Sequence, residues 1–437
     1  MNISPLTSPC GRITYRAEDH ARHAIDRAMD MPMSVMSRIY MQYDSARIMQ
    51  AARDLDADAT RRAGPLAGLL ISIKDLFDEA GQVTAAGSKI LRAAAPAKAD
   101  APVVARLKAA GAVPCGRTTM SEFAYSGVGL NPHSGNPGNA RDPSRISGGS
   151  SSGAAVSVAL GLADVALGTD TGGSVRIPAA LNGLAGFKPT QATVPLEGAF
   201  PLSQTFDSIG PLALRIATCA AVHGVLSGTA APQQQPANRP LRLAVLQGPL
   251  MSGLDAQVTA DFAAALTVLR AAGHEVIEAE LPEIEGYGDV NRIVVATEAH
   301  AIHAHHLDGL KTQGDPRVLQ RIMSATGFAA SDYADKLAHR ARAMAAFHTL
   351  AYGIDAFLLP TVPTVAPAIA EVDADFDRLN ALMLRNPSLV NFLDGCAATV
   401  PMQRAQRLAT GLMIFAPGGQ DWQVLDIAQH CEALLQS

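Results

Sequence analysis

Two Gly-Gly-Ser strings stand close together in this chain, at Gly148-Gly149-Ser150 and Gly172-Gly173-Ser174. A serine hydroxyl is a weak nucleophile at neutral pH and needs a neighbouring base to take its proton. A lysine serves as that base if burial moves its pKa from about 10.4 toward 7, a change of roughly 4 kcal/mol. Lys74 suits the role, because it ends the apolar run Leu69–Ile73 and is carried to the edge of a desolvated interior. The same position also suits a surface lysine paired with Asp75 or Asp78. "TDTGGS" adds successive backbone N–H groups around a tight turn ahead of a helix start, a device that binds a developing oxyanion. Glycine lets the backbone approach a substrate closely there. Ser174 ends that turn and would stand beside its own oxyanion hole.

Other chemistries compete for the same residues. A flexible Gly/Ser linker is polar throughout, but this segment contains "AAVSVALGLADVALG", which must be buried. A phosphate loop needs G-x-x-x-x-G-K-[ST], and no lysine follows these glycines before Lys188. Gly149 to Gly153 matches G-x-S-x-G centred on Ser151, but a nucleophile elbow follows a buried strand, and "NARDPSRISG" is polar. "EAHAIHAHH" offers Glu298, His300, His303, His305 and His306 at spacings that metal ligands use. The plainer reading is a helix bordering a cleft or solvent.

These residues need elements to hold them. The chain has 437 residues, 48% hydrophobic and 17% charged, enough for two ordinary domains or one large α/β unit with a sizeable core. The formal net charge of −5 gives no sign of a nucleic-acid or anionic-membrane surface. Cys10, Cys115, Cys219, Cys396 and Cys431 are scattered without a C-x-x-C pair, which argues for free thiols in a reducing compartment. "MNISPLTSPCGR" lacks the basic and apolar regions of a signal peptide, and no apolar run reaches the length of a membrane span, so a cytoplasmic protein is expected. Apolar spacing predicts helix over about 17–53. Strands are expected at Leu69–Ile73, "AVPCG", "ADVALGTD", "LRLAVLQG", "HEVIEAEL" and from Asp355, with helices at Ser152–Leu162, 255–272, 297–350 and the C-terminus. Met120–Arg145 reads as a long loop, ordered or disordered, of a length that inside a compact domain is usually functional, and Gly228–Pro240 as a surface connection. Strands alternating with helices point to a sheet covered on both faces.

The combination resembles the amidase signature family of serine hydrolases. The resemblance rests on "GPLAGLLISIKDLFDEAG" around Lys74, "TTMSEFAYSGVGLNPHSGNPGNARDPSRISGGSSSGAA" around Ser150 and "ALGTDTGGSVRIPAALNGLAGFKPT" around Ser174. "PLSQTFDSIGPLA" and "DAFLLPT" extend it. It implies an α/β fold with a central mixed, twisted sheet of about eleven strands flanked by helices on both faces. One domain would cover 1–437, with N-terminal helices at about 17–53 and a motif-bearing core at about 64–215. A βαβ sub-domain at about 240–285 and a helical and C-terminal return at about 297–437 would complete it.

The resemblance also implies a Ser–cisSer–Lys triad. Ser174 would be the nucleophile, Ser150 the bridging serine after a cis bond from Gly149, and Lys74 the base. The N–H groups of Thr171, Gly172, Gly173 and Ser174 would form the oxyanion hole, with Ser151 and Asp170 supporting them. The implied reaction is hydrolysis of small carboxamides through an acyl-enzyme, with no metal or other cofactor. Met120, Tyr125 and Thr361 are candidates for the substrate pocket. The expected partner is a small amide, with no membrane, room for a homodimer, and nucleic acid only in an amidotransferase. The alternatives are the glutaminase subunit of a tRNA-dependent amidotransferase and a hydrolase of biuret- or allophanate-like amides. Against the first, "NFLDGCAATVPMQRAQRLATGLMIFAPGGQDWQ" lacks the Gly-Leu-Pro common before the family's last strand. Against allophanate chemistry, 437 residues leave no room for the extra C-terminal domain that those enzymes usually carry.

Overall fold

The short apolar runs bounded by glycine turns become strands, and they assemble into one sheet. The computed structural model describes residues 16–231, 239–402 and 407–436. Its strands are β1 (Tyr40–Gln42), β2 (Leu70–Lys74), β3 (Val113–Thr118), β4 (Val165–Thr169), β5 (Ala185–Lys188) and β6 (Ile209–Ala213). β7 (Arg242–Leu246), β8 (Glu275–Ala279), β9 (Ala356–Pro360), β10 (Cys396–Pro401) and β11 (Gly411–Ala416) follow. The 11-stranded sheet runs β1-β3-β2-β4-β6-β5-β10-β11-β9-β7-β8. It is mixed: β2 pairs in parallel with β3 and β4, while β4, β6, β5, β10, β11 and β9 form antiparallel neighbours.

Both faces are covered, and β2 and β4 show why apolar residues stand at neighbouring positions along them. Ile71, Ile73, Val165 and Leu167 join the core on one side of the sheet. Leu70 and Ala166 alternate to the other side, against the helices Ala17–Met29, Ser45–Ala57 and Ser152–Ala159. The period of two along a strand produces this division.

Three expectations change in detail. The helical stretch expected at 17–53 is divided into Ala17–Met29, Met33–Ile39 and Ser45–Ala57, by a turn ending at Pro32 between the first two and by the strand β1 between the last two. The apolar residues Val35, Ile39 and Tyr43 kept a helical spacing across that break, but Tyr40 pairs with Thr118 at the sheet edge instead. The βαβ unit is not set apart from the sheet: β7 pairs with β9 and continues it. The helix expected at Ser152–Leu162 ends at Ala159. Cys10, the N-terminal "MNISPLTSPCGR", part of the Gly228–Pro240 connection and residues 403–406 lie outside the described residues. The other four cysteines are free and buried. No helix among the described residues is long and apolar enough to cross a membrane.

Candidate active site

Parallel pairing of β2 with β4 brings two carboxyl-terminal strand ends side by side. Ile73 is opposite Leu167, so Lys74 and Thr169 emerge at the same edge. Lys74 is fully buried, and its Nζ lies 2.8 Å from both Ser150 Oγ and Thr169 Oγ1. Burial lowers its pKa to about 7, against the opposing pull of Asp207 and Asp170. The alternative of a surface lysine is therefore excluded. Asp75, its suggested surface partner, instead accepts from buried Arg117. Asp78 accepts from Thr84. An ammonium at this position donates to both hydroxyls, whereas a neutral amine can accept a proton from one of them.

Ser150 follows a cis bond from Gly149. The Gly149 N–H donates to Gly127 O at 2.9 Å, and a Cβ on Gly149 would lie 2.5 Å from the Gly129 nitrogen. The loop from Met120 to Gly129 is thus pressed against the first turn, and it is largely buried despite having little regular structure. The Ser151 N–H reaches Ser174 O at 3.4 Å and ties the two turns together. The Ser151 hydroxyl is buried with no partner among the described residues, so Ser151 connects the turns through its backbone.

The second turn is organised by Asp170. Its carboxylate accepts from Gly173 N, Val175 N, and Arg176 Nε and Nη2. Burial alone would raise its pKa, but the Arg176 guanidinium holds it below the ordinary carboxylate range. Both members of this ion pair are fully buried. One consequence differs from the expected oxyanion hole. The Gly173 N–H is already committed to Asp170 Oδ1 at 2.8 Å. The N–H groups of Thr171, Gly172 and Ser174 have no acceptor among the described residues and are the three open donors. Ser174 itself is 4% exposed.

A cavity of about 150 Å³ adjoins these groups, walled by Thr169, Thr171, Phe200, Leu202 and Asp207 among others. Asp207 is pushed up to about 6 by burial, offset by hydrogen bonds from Thr171 Oγ1 and the N–H groups of Leu202 and Ser203. None of the three expected pocket residues is in this wall. Met120 is buried beside Gly87. Tyr125 is the neighbour of the lining residue Ala124. Thr361 points within the sheet, where its hydroxyl pairs with Thr399 Oγ1 at 2.5 Å.

The histidine-rich segment also resolves into separate parts. Glu298 receives hydrogen bonds from Ser203, Thr205 and Tyr333. His303 is buried against Phe123 and Phe200. No group of three or more metal-binding side chains occurs among the described residues. Thr169, Asp207 and Arg176 were missed in the sequence. The first was hidden because only strand pairing sets it beside Lys74, although "TFDSIGP" had marked the neighbourhood of Asp207.

The chain matches the amidase family model over residues 20–425. It is similar to 2-amino-5-chloromuconic acid deaminase of Comamonas testosteroni, at 34% identity over 410 residues, covering 91% of this chain and 88% of that protein. It is similar to a glutamyl-tRNA(Gln) amidotransferase subunit of Synechococcus sp. strain RCC307, at 31% identity, covering 95% and 93%. A crystal structure of an amidase aligns with a TM-score of 0.86 at 31% identity, covering 96% of each chain.

Proposed function

The chain belongs to the amidase family and is a hydrolase of amide C–N bonds; from that premise we propose that it cleaves small carboxamides through a Ser174 acyl-enzyme, with Ser150 and Lys74 as the proton relay. The observation that carries this reading is the buried Lys74 amine, shared between two hydroxyls beside a turn with three open N–H donors. Neutral Lys74 takes the Ser150 proton while Ser150 takes that of Ser174. Ser174 Oγ then attacks the amide carbon. The N–H groups of Thr171, Gly172 and Ser174 receive the oxyanion, each strong donor contributing about 3–4 kcal/mol. As the C–N bond breaks, Ser150 gives its proton to the departing nitrogen and regains one from Lys74. Water repeats the relay in reverse to release the carboxylic acid.

Four buried free thiols suit a reducing compartment such as the cytoplasm. The similarity to an amidotransferase component supports a second reading, ammonia release from glutamine within a complex. Ammonia release should be measured for the purified chain with aliphatic, aromatic and biuret-like amides, glutamine, and the 2-amino-5-chloromuconic acid named for its relative. Turnover of a small amide by the chain alone, absent in Ser174→Ala, supports the first reading. Equal turnover by Ser174→Ala overturns it, and activity confined to glutamine favours the second.

A further inference from the structure

The helix Phe376–Phe392 supplies no group to the relay, yet one stripe of it touches the second serine turn and the Ser126–Gly127 segment that is bonded to the first. Asn380, Leu384, Pro387 and Asn391 follow one another at intervals of four, three and four, so they share one helix face. At one end, Asn380 Oδ1 accepts from Gly127 N at 2.8 Å and from Ser126 Oγ at 3.3 Å. Gly127 O in turn accepts from Gly149 N, the residue joined to Ser150. At the other end, Asn391 Nδ2 donates to Asp170 O at 3.1 Å and Asp170 Oδ1 at 3.0 Å, and Asn391 Oδ1 accepts from Arg176 Nη2. That Asp170 oxygen also accepts from Gly173 N, next to Ser174.

The middle of the stripe fills the space between. A Cβ on Gly127 would lie 3.1 Å from Leu384, and one on Gly172 3.4 Å from it. Gly173 has φ near +122, and a Cβ there would meet Pro387 Cγ at 2.6 Å. Asn380 and Asn391 are buried, so neither bond is exchanged with bulk water.

We propose that this helix is the spacer that sets the separation of the two serine turns, with Asn380 and Asn391 as its positioning residues. The proposal rests on the Ser174–Ser150–Lys74 reading above. Three helical turns, about 16 Å along the helix, set where each anchor bears. The relay needs its hydroxyls within hydrogen-bond reach, so an error in spacing slows proton transfer more than substrate binding.

The two anchors use opposite chemistry, which provides the test. Asn380 acts as an acceptor, so Asn380→Asp keeps its bonds, whereas Asn380→Ala loses them. Asn391 must donate to Asp170, so Asn391→Asp keeps the shape and loses the donor. Expected results are a fall in kcat of about 10- to 100-fold for Asn380→Ala, Asn391→Ala and Asn391→Asp, with KM within about threefold. Asn380→Asp should stay within about threefold of wild type. Residues this far apart ordinarily contribute independently. A shared rod predicts instead that Asn380→Ala/Asn391→Ala loses at least threefold less than the product of the single losses. Near-UV circular dichroism identifies any variant that has not folded, and the Asn380 pair alone then decides the acceptor claim. Wild-type kcat in Asn380→Ala, or equal loss in Asn380→Ala and Asn380→Asp, overturns the spacer. So do single losses that multiply in the double variant. Labelling by a fluorophosphonate separates this from the underlying reading: labelling retained in Ser174→Ala sinks the nucleophile assignment, whatever the asparagines do.

Discussion

Ser150 and Ser174 each follow a glycine pair, yet their surroundings are opposite. Ser150 is fully buried, and its hydroxyl is held by the Lys74 amine. Ser174 is slightly exposed, in a turn whose Asp170–Arg176 brace leaves three N–H groups open. The local strings are the same, so the difference comes from what packs behind them. A strand end carrying a lysine stands behind the first, and a buried ion pair stands behind the second. A Gly-Gly-Ser string thus supplies close backbone approach, while its neighbours decide whether the hydroxyl is held by a buried amine or stands beside N–H groups without an acceptor among the described residues.

The largest expected effect separates the two serines. Ser174→Ala should reduce amide hydrolysis by at least about 10⁴-fold with an unchanged circular dichroism spectrum. Retention of more than a small fraction of wild-type turnover would exchange or discard the roles. Lys74→Met comes next, with a loss of roughly 10³-fold or more in the single-turnover acylation rate. A loss below about tenfold would remove Lys74 from the relay.

The pH profile sharpens the same contrast. Below about 7 Lys74 carries its proton and has no lone pair for Ser150; above it the amine is neutral. The rate constant kcat/KM should therefore climb with pH through about 7 and level off. Any residual activity of Lys74→Met should lack that ascending limb, and a profile shared by both proteins would point to another group, such as Asp207 with its pKa near 6.

The smallest effect concerns adjacent serines. The Ser151 hydroxyl has no partner among the described residues, so Ser151→Ala should leave kcat within about twofold. It should also leave thermal stability equal or higher, because a buried unpaired hydroxyl costs about 1–3 kcal/mol. Ser150→Ala should lose about 100-fold or more. Similar losses in the two variants would mean that burial of the segment, not the Lys74 contact, governs activity.

Strands and the motif-bearing turns were legible because they depend on short runs. Leu69–Ile73 and the apolar centre Val165–Leu167 of "ADVALGTD" become β2 and β4, which are interior strands of the sheet. The helix expected at 17–53 was overextended because residues Val35, Ile39 and Tyr43 keep one spacing while the backbone changes from helix to edge strand. The surroundings of the pocket candidates were not legible: Thr361 follows β9, and only the pairing of β9 with β11 and of β11 with β10 brings its hydroxyl to Thr399. The Gly173 N–H could not be discounted from the string "TDTGGS", since its capture by Asp170 depends on the path of the turn.

By itself the sequence determined the α/β class, the apolar strand that carries Lys74 and the two glycine-preceded serines, because strand period and turn chemistry act over a few residues. Only the tertiary structure decided that Lys74 meets Ser150 and Thr169, that three N–H groups have no acceptor among the described residues, and that a helix some two hundred residues downstream bonds to Gly127 behind the first turn and to Asp170 in the second. Those contacts depend on strand order and helix packing between distant segments, and no local pattern of residues encodes a distance across a sheet.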